Sequence, residues 1–135
     1  ELEAYVGEVL TLHIDGPVIS LSPKTAEVLT LVLHELATNS VKYGAARGEG
    51  AICVVWSETM RDDQPWARLS WRETTDHLRA VSLKRGFGTE LIEDRLPYEL
   101  GGEGRLTLTG TGMVAEIAFP LQQRASVLEN GSAGD

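Results

Sequence analysis

One helix constrains this chain more than anything else in it. Residues 23–43 carry apolar side chains at helical spacing, with Leu29, Leu33, Leu36 and Ala37 along one stripe and Val32 and Val41 at its edges. Ser22 suits the position that caps a helix start, Pro23 the first helical position and Gly44 the terminating one. A helix of about 20 residues is roughly 30 Å long and must bury its stripe against a broad surface. That surface has to come from strands, because the remaining periodic segments mostly alternate.

The other side of the helix is chemically unusual. At 100° per residue, Glu35, Asn39 and Lys42 fall within an arc of roughly 60°, flanked by Thr38 and Tyr43. An ordinary solvated face explains such a wedge. So does a binding site: Asn is unfavourable inside a helix, since its side chain competes for backbone hydrogen bonds. One turn after a carboxyl group and just before an ammonium, it offers a neutral oxygen to a hard cation. The carboxyl supplies a base and the ammonium a partner for phosphate oxygens.

Further along, Gly86-Phe87-Gly88-Thr89-Glu90-Leu91-Ile92 reads as a glycine turn opening a helix, a place suited to phosphates. The two segments together ask for a nucleoside triphosphate with its metal.

The rest of the chain supplies the sheet. Residues 7–14 read as a strand, Gly16-Pro17 as a turn, and Val18–Leu21 as a short second strand. Ala51–Glu58 and Ala67–Glu73 form a hairpin joined by the polar loop Thr59–Pro65. Residues 74–87 read as a loop. A helix is expected from Thr89 to Leu100, kinked or ended by Pro97. Arg105–Thr109 and Met113–Phe119 form a second hairpin, with Gly110 and Gly112 serving its turn. The expected fold is α+β, a two-layer sandwich with helices on one face of a mixed, mostly antiparallel sheet. Residues 1–121 would be the domain and 122–135 a flexible tail.

The 135 residues suffice for one domain with a real core. A net charge of −8 argues against nucleic acid, whose backbone favours a basic footprint. The lone Cys53 cannot form an intrachain disulfide and reads as a small core residue, which suits a reducing compartment. No apolar run approaches the length of a membrane span, and no signal peptide is visible. The polar start without Met reads as a piece of a longer protein. His13 and His77 are isolated, and zinc-site spacings are absent.

The order of these motifs resembles the ATP-binding catalytic domain of bacterial sensor histidine kinases, within the GHKL superfamily (Bergerat fold). More narrowly it resembles the HWE class. The matching residues are His34, Glu35, Asn39, Lys42, Tyr43 and Gly44, then Trp71 and Glu73, then Gly86, Phe87, Gly88 and Leu91-Ile92. Ile117-Ala118-Phe119-Pro120-Leu121 also fits. The match runs from Gly7 to Leu121. The first two motifs are fairly specific; a lone Gly-x-Gly would be weak.

The resemblance implies roles. Asn39 would supply its oxygen to Mg²⁺, and Glu35 would act as general base toward a phosphoacceptor histidine. Lys42 would face phosphate oxygens, with Tyr43 beside it. Glu73 would accept from the adenine amino group, where most relatives have Asp. Gly86, Phe87, Gly88, Thr89 and Leu91 would form the glycine-turn part of the ATP site, and Lys84 and Arg85 would add positive charge or simply be solvated. His34 would serve the pocket edge or the chemistry, and Trp71 the site or the core. One departure stands out: relatives continue after Trp-x-Glu with a glycine pair and Pro, whereas this chain has Thr74-Thr75-Asp76-His77. Added Cβ atoms there put nucleotide affinity in question.

The expected activity is therefore transfer of the ATP γ-phosphoryl group to a histidine on a helical hairpin outside this chain, in two-component signalling. The fragment would be cytoplasmic, would make no membrane contact, would be monomeric alone in a parent that could be dimeric, and would show little autophosphorylation by itself. A response regulator would be an indirect partner. Three rivals share the ATP fold: a serine kinase of the anti-sigma-factor type, a degenerate docking module, and an ATPase of the gyrase and Hsp90 group.

Overall fold

The computed structural model describes residues 10–43, 50–75 and 87–121. Five strands form one sheet: β1 (Leu10–Asp15), β2 (Gly50–Arg61), β3 (Gln64–Thr75), β4 (Glu103–Leu108) and β5 (Gly112–Pro120). Their spatial order is β1-β2-β3-β5-β4, parallel only between β1 and β2. A parallel neighbour needs a crossover, and α1 (Pro23–Tyr43) provides it. The remaining helical run is α2 (Phe87–Glu90), a π turn (Leu91–Arg95) and α3 (Leu96–Leu100). Side chains of α1 and of this run share one core with a single face of the sheet. The α+β two-layer arrangement is the expected one.

Strand alternation sorts the sheet cleanly. Ile52 and Val54 of β2, Ala67, Leu69, Trp71 and Glu73 of β3, and Met113, Ala115, Ile117 and Phe119 of β5 are all buried. Their cross-strand registers, such as Val54↔Trp71↔Ala115, place them on one face. The opposite face carries Arg68, Arg72, Arg105 and Glu116. Cys53 belongs to that outer face, half-buried between His13 and Arg72, so it is not the core residue expected.

The start of α1 follows expectation. Thr25 N–H donates to Ser22 Oγ at 3.2 Å, and Ala26 N–H to the Ser22 carbonyl at 2.9 Å. Gly44 lies outside the described residues. The buried stripe, however, is turned toward the polar wedge. Val28, Val32, Leu36, Ala37 and Ser40 are buried, while Leu29 and Leu33 are only half so. The helix has rolled on the sheet, and its Glu35 side now adjoins the interface.

Other expectations need correction. Residues 16–22 form no strand; Val18 is fully exposed. This segment must carry the chain from the sheet to the helix layer, and the Trp56 ring clasps it. The indole N–H donates to the Pro17 carbonyl at 2.6 Å, and the ring covers Gly16 so closely that a Cβ there would overlap it. The first hairpin has no seven-residue loop. Its turn is Asp62-Asp63, both left-handed at φ 50° and 65°, which matches a tight two-residue hairpin connection. Asp tolerates that region without announcing it as Gly would.

β3 also continues through Thr74 and Thr75, paired to Ala51 and Gly50. The positions where the resemblance expects glycines are here part of the ladder. The rest of the expected loop, residues 76–86, lies outside the described residues, as do the tail from 122 and residues 7–9 of the first strand.

Pro97 does not end the helix. Lacking an N–H, it cannot complete the preceding turn, and the helix widens just before it: Leu96 N–H bonds the Leu91 carbonyl. The run then ends at Gly101, left-handed at φ 67°. Its π turn is keyed to β4 twice. Glu93 Oε2 accepts from Leu106 N–H at 2.9 Å, and the Ile92 carbonyl lies where a Cβ on Gly104 would be. Gly112 closes the second hairpin's turn, its carbonyl accepting from Thr109 N–H at 2.7 Å, and also begins β5, where a Cβ would overlap the Glu73 carbonyl.

Candidate functional site

Two buried polar residues stand out among the described ones: Ser40 on α1 and Glu73 on β3. Glu73 occupies an inner-face position between Ile52 and Met113, where period-two logic asks for an apolar side chain. It is 2% exposed. Burying a carboxyl group costs several kcal/mol unless it is hydrogen-bonded (on the order of 2–7 for an unpaired polar group). The structure supplies that bond: Trp71 Nε1–H donates to Glu73 Oε1 at 3.0 Å. Both residues are on the same strand face two positions apart, so the indole lies alongside the carboxyl. From the other side, β5 approaches the Glu73 main chain through Gly112. Side chain and backbone are both held.

Glu35 and Asn39 are half-buried on α1, whose buried side chains share one core with the inner face of β3. By helical angle Asn39 lies within about 20° of Val28 and Val32, both buried. Asn39 therefore borders the packed side of α1. Thr38 is also half-buried, whereas His34 is exposed. Lys42 and Tyr43 lie in the last turn of α1, at the same end as Asn39. Phe87 and Gly88 open α2, Thr89 there is half-buried, and Leu91 is fully in the core. Gly86, Lys84 and Arg85 lie outside the described residues. α1 packs against α2 and α3, so the Asn39 helix and the helix opened by the glycine turn are neighbours.

Leu91 is part of the hydrophobic core. Of the two readings given to Trp71, the structure bears out the core one, and its N–H is committed to Glu73. Among the described residues there is no cluster of three or more His, Cys, Asp or Glu able to hold a metal by itself. A cation at Asn39 would therefore need oxygens from a ligand, as a nucleotide-bound ion does. The donor set fits that arrangement: one neutral oxygen beside one carboxyl group. Sequence reasoning missed the indole–carboxyl bond and Gly112, and the only signal for either was the two-residue spacing of Trp71 and Glu73.

A mostly antiparallel five-stranded sheet with one parallel crossover and a single helical layer is also the fold of solved histidine kinase domains. The histidine kinase domain of the Erythrobacter litoralis blue-light-activated kinase superposes with a TM-score of 0.65 at 17% identity, covering 92% of this chain and 57% of that one. By sequence, a blue-light-activated histidine kinase of Brucella ovis is 29% identical over 111 residues, 82% of this chain and 23% of its own length. Blue-light-activated histidine kinase 1 of Erythrobacter litoralis is 36% identical over 113 residues, 80% of this chain and 30% of its own. No family model matches the chain. The chain thus spans about a quarter of the length of these curated relatives. In sequence and fold the chain is that of a histidine kinase catalytic domain, and it carries the His-Glu-x-x-x-Asn helix and Trp-x-Glu strand that mark the HWE type.

Proposed function

We propose that this domain binds Mg-ATP and donates the γ-phosphoryl group to a histidine on a helical hairpin, in the cytoplasm, within a two-component system. The observation that carries the reading is the buried, hydrogen-bonded Glu73 on β3, whose inner face shares one core with the helix that bears Glu35 and Asn39. An apolar core has no use for that carboxyl group; a base with an amino donor does.

Each residue then has one task. Glu73 accepts from the adenine amino group. Asn39 turns its side-chain oxygen to the Mg²⁺ carried by the phosphates, and Lys42 faces their oxygens, with Tyr43 beside it. The glycines at 86 and 88, with Phe87 and Thr89, let the chain pass close to the phosphates, and Leu91 supports that turn from the core. Magnesium, when bound, neutralises phosphate charge. Glu35 takes the proton from the attacking imidazole as its nitrogen bonds to phosphorus and the bond to ADP breaks. Phosphoryl transfer demands mainly positioning and charge neutralisation, which a rigid helix on a sheet provides. The hairpin would come from the parent kinase, and a response regulator would receive the phosphoryl group afterwards.

Titration of Mg-ATP against wild type and Asn39→Ala tests the reading. Binding to wild type should be measurable and at least about tenfold weaker in the variant, a loss of roughly 1.4 kcal/mol. Equal affinities would remove Asn39 from the metal site. Phosphohistidine should form only when a hairpin is supplied.

A further inference from the structure

We propose that Trp71 is the specificity-positioning residue of the base pocket: its indole N–H fixes the Glu73 carboxyl group in the orientation that selects an adenine over a 6-oxopurine. The proposal rests on the reading of Glu73 as the base-contacting group and adds what makes that contact selective.

A glutamate side chain has one more rotatable bond than an aspartate. Left to itself at the end of that extra bond, a carboxyl group can turn to meet different donor patterns. Adenine offers an amino donor at position 6. Guanine presents a carbonyl there, with donors at N1 and the 2-amino group that a swivelling carboxylate accepts well. Discrimination therefore requires the carboxyl group to be held, and the Trp71 indole N–H holds it. Trp71 Nε1 lies 3.0 Å from Glu73 Oε1, with both residues 2% exposed. Gly112 brings β5 so close to the Glu73 backbone carbonyl that even a methyl group would not fit between them, which fixes the strand from which the carboxyl group projects. A carboxylate has about four acceptor sites, and the indole bond takes one of them. A site built around a fixed hydrogen bond rejects the analogue that cannot make it.

Packing alone does not explain this tryptophan. Its neighbours across the sheet are Val54 and Ala115, against which any large aromatic ring would pack. The indole N–H is what distinguishes Trp from Phe here, and it is committed to Glu73.

The test is a double-mutant cycle of Trp71→Phe and Glu73→Gln, with Mg-ATP and Mg-GTP affinities measured for all four proteins. Wild type should prefer ATP. Trp71→Phe should narrow the ATP-to-GTP preference by roughly tenfold. In the Glu73→Gln background the same substitution should change that preference less than about twofold. An unchanged preference in Trp71→Phe, or an equal change in both backgrounds, overturns the proposal. Wild type that binds neither nucleotide overturns the nucleotide reading itself, a separate result. Should Trp71→Phe fail to fold, the indole N–H resonance of Trp71 in wild type decides, assigned against Trp56→Phe and Trp66→Phe. It should shift on adding Mg-ATP and stay put with magnesium tripolyphosphate; no shift with ATP refutes the role.

Discussion

The two faces of β3 share one backbone and obey opposite rules. Inward, the strand runs Ala67, Leu69, Trp71 and then Glu73; outward it runs Arg68, Ser70, Arg72 and Thr74. The outer charges need no special housing. Arg105 lies opposite Glu116, and Arg61 pairs in bidentate fashion with Glu103 at 2.8 and 3.1 Å while its guanidinium sits 4.0 Å over Trp66. Water shares the load, so exposed pairs contribute little to stability. Inward, a single carboxyl group required a dedicated indole donor and a glycine on the next strand. A charge-bearing group costs little where solvent reaches it. Where solvent does not, its presence calls for a functional explanation.

The largest expected effect tests whether the inner face alone carries the fold. Phe119→Ala, at a 2% exposed position, should lower unfolding free energy by about 3–5 kcal/mol in urea titration. Arg68→Ala on the outer face should stay within about 0.5 kcal/mol. Comparable losses would mean the outer face is covered in solution. Next comes the close approach behind Glu73. Gly112→Ala should destabilise by about 1–3 kcal/mol, as overpacking does, and should weaken Mg-ATP binding as well. Loss of stability with unaltered nucleotide affinity would separate the Glu73 backbone from the site.

The smallest effect sharpens the outer-face side of the contrast. The Arg61 hydrogen bond, then its charge, holds the Glu103 carboxyl below its usual value. A depressed folded value stabilises at pH above the unfolded one, about 4.3, and that contribution fades as pH falls through the folded value. Glu103→Gln should therefore lower the thermal midpoint slightly at neutral pH. The difference should disappear in acid and shrink with added salt. A difference that persists unchanged below the carboxylate range would mean the pair acts through packing.

Much of this was legible in the chain. The bounds of α1 follow from Ser22, Pro23 and an uninterrupted apolar period, because capping and periodicity are local. Both hairpins follow from alternation. The Asp62-Asp63 turn escaped because Asp enters the left-handed region without a glycine to mark it. The helix before Pro97 was read as kinked or ended, since sequence shows a missing N–H but not that a π turn locked to β4 absorbs it. Val28 replaced Leu29 in the buried stripe because a helix rolls on a twisted sheet to fill space, and a wheel fixes only relative angles. Glu73 was found by motif; that its carboxyl is tied to Trp71 was not, because alternation puts two side chains on one face without saying they touch.

By itself, then, the sequence determined most of the elements and the class of fold, and it pointed to the residues proposed to meet a nucleotide, since each depends on neighbours within a few positions. Only the tertiary structure decided which of them are buried, which hold one another, and that glycines at 104 and 112 admit a main-chain carbonyl. Those outcomes depend on how layers and strands approach across long separations in the chain, and close packing leaves a single arrangement in which a buried carboxyl group, an indole and a bare Cα fit together.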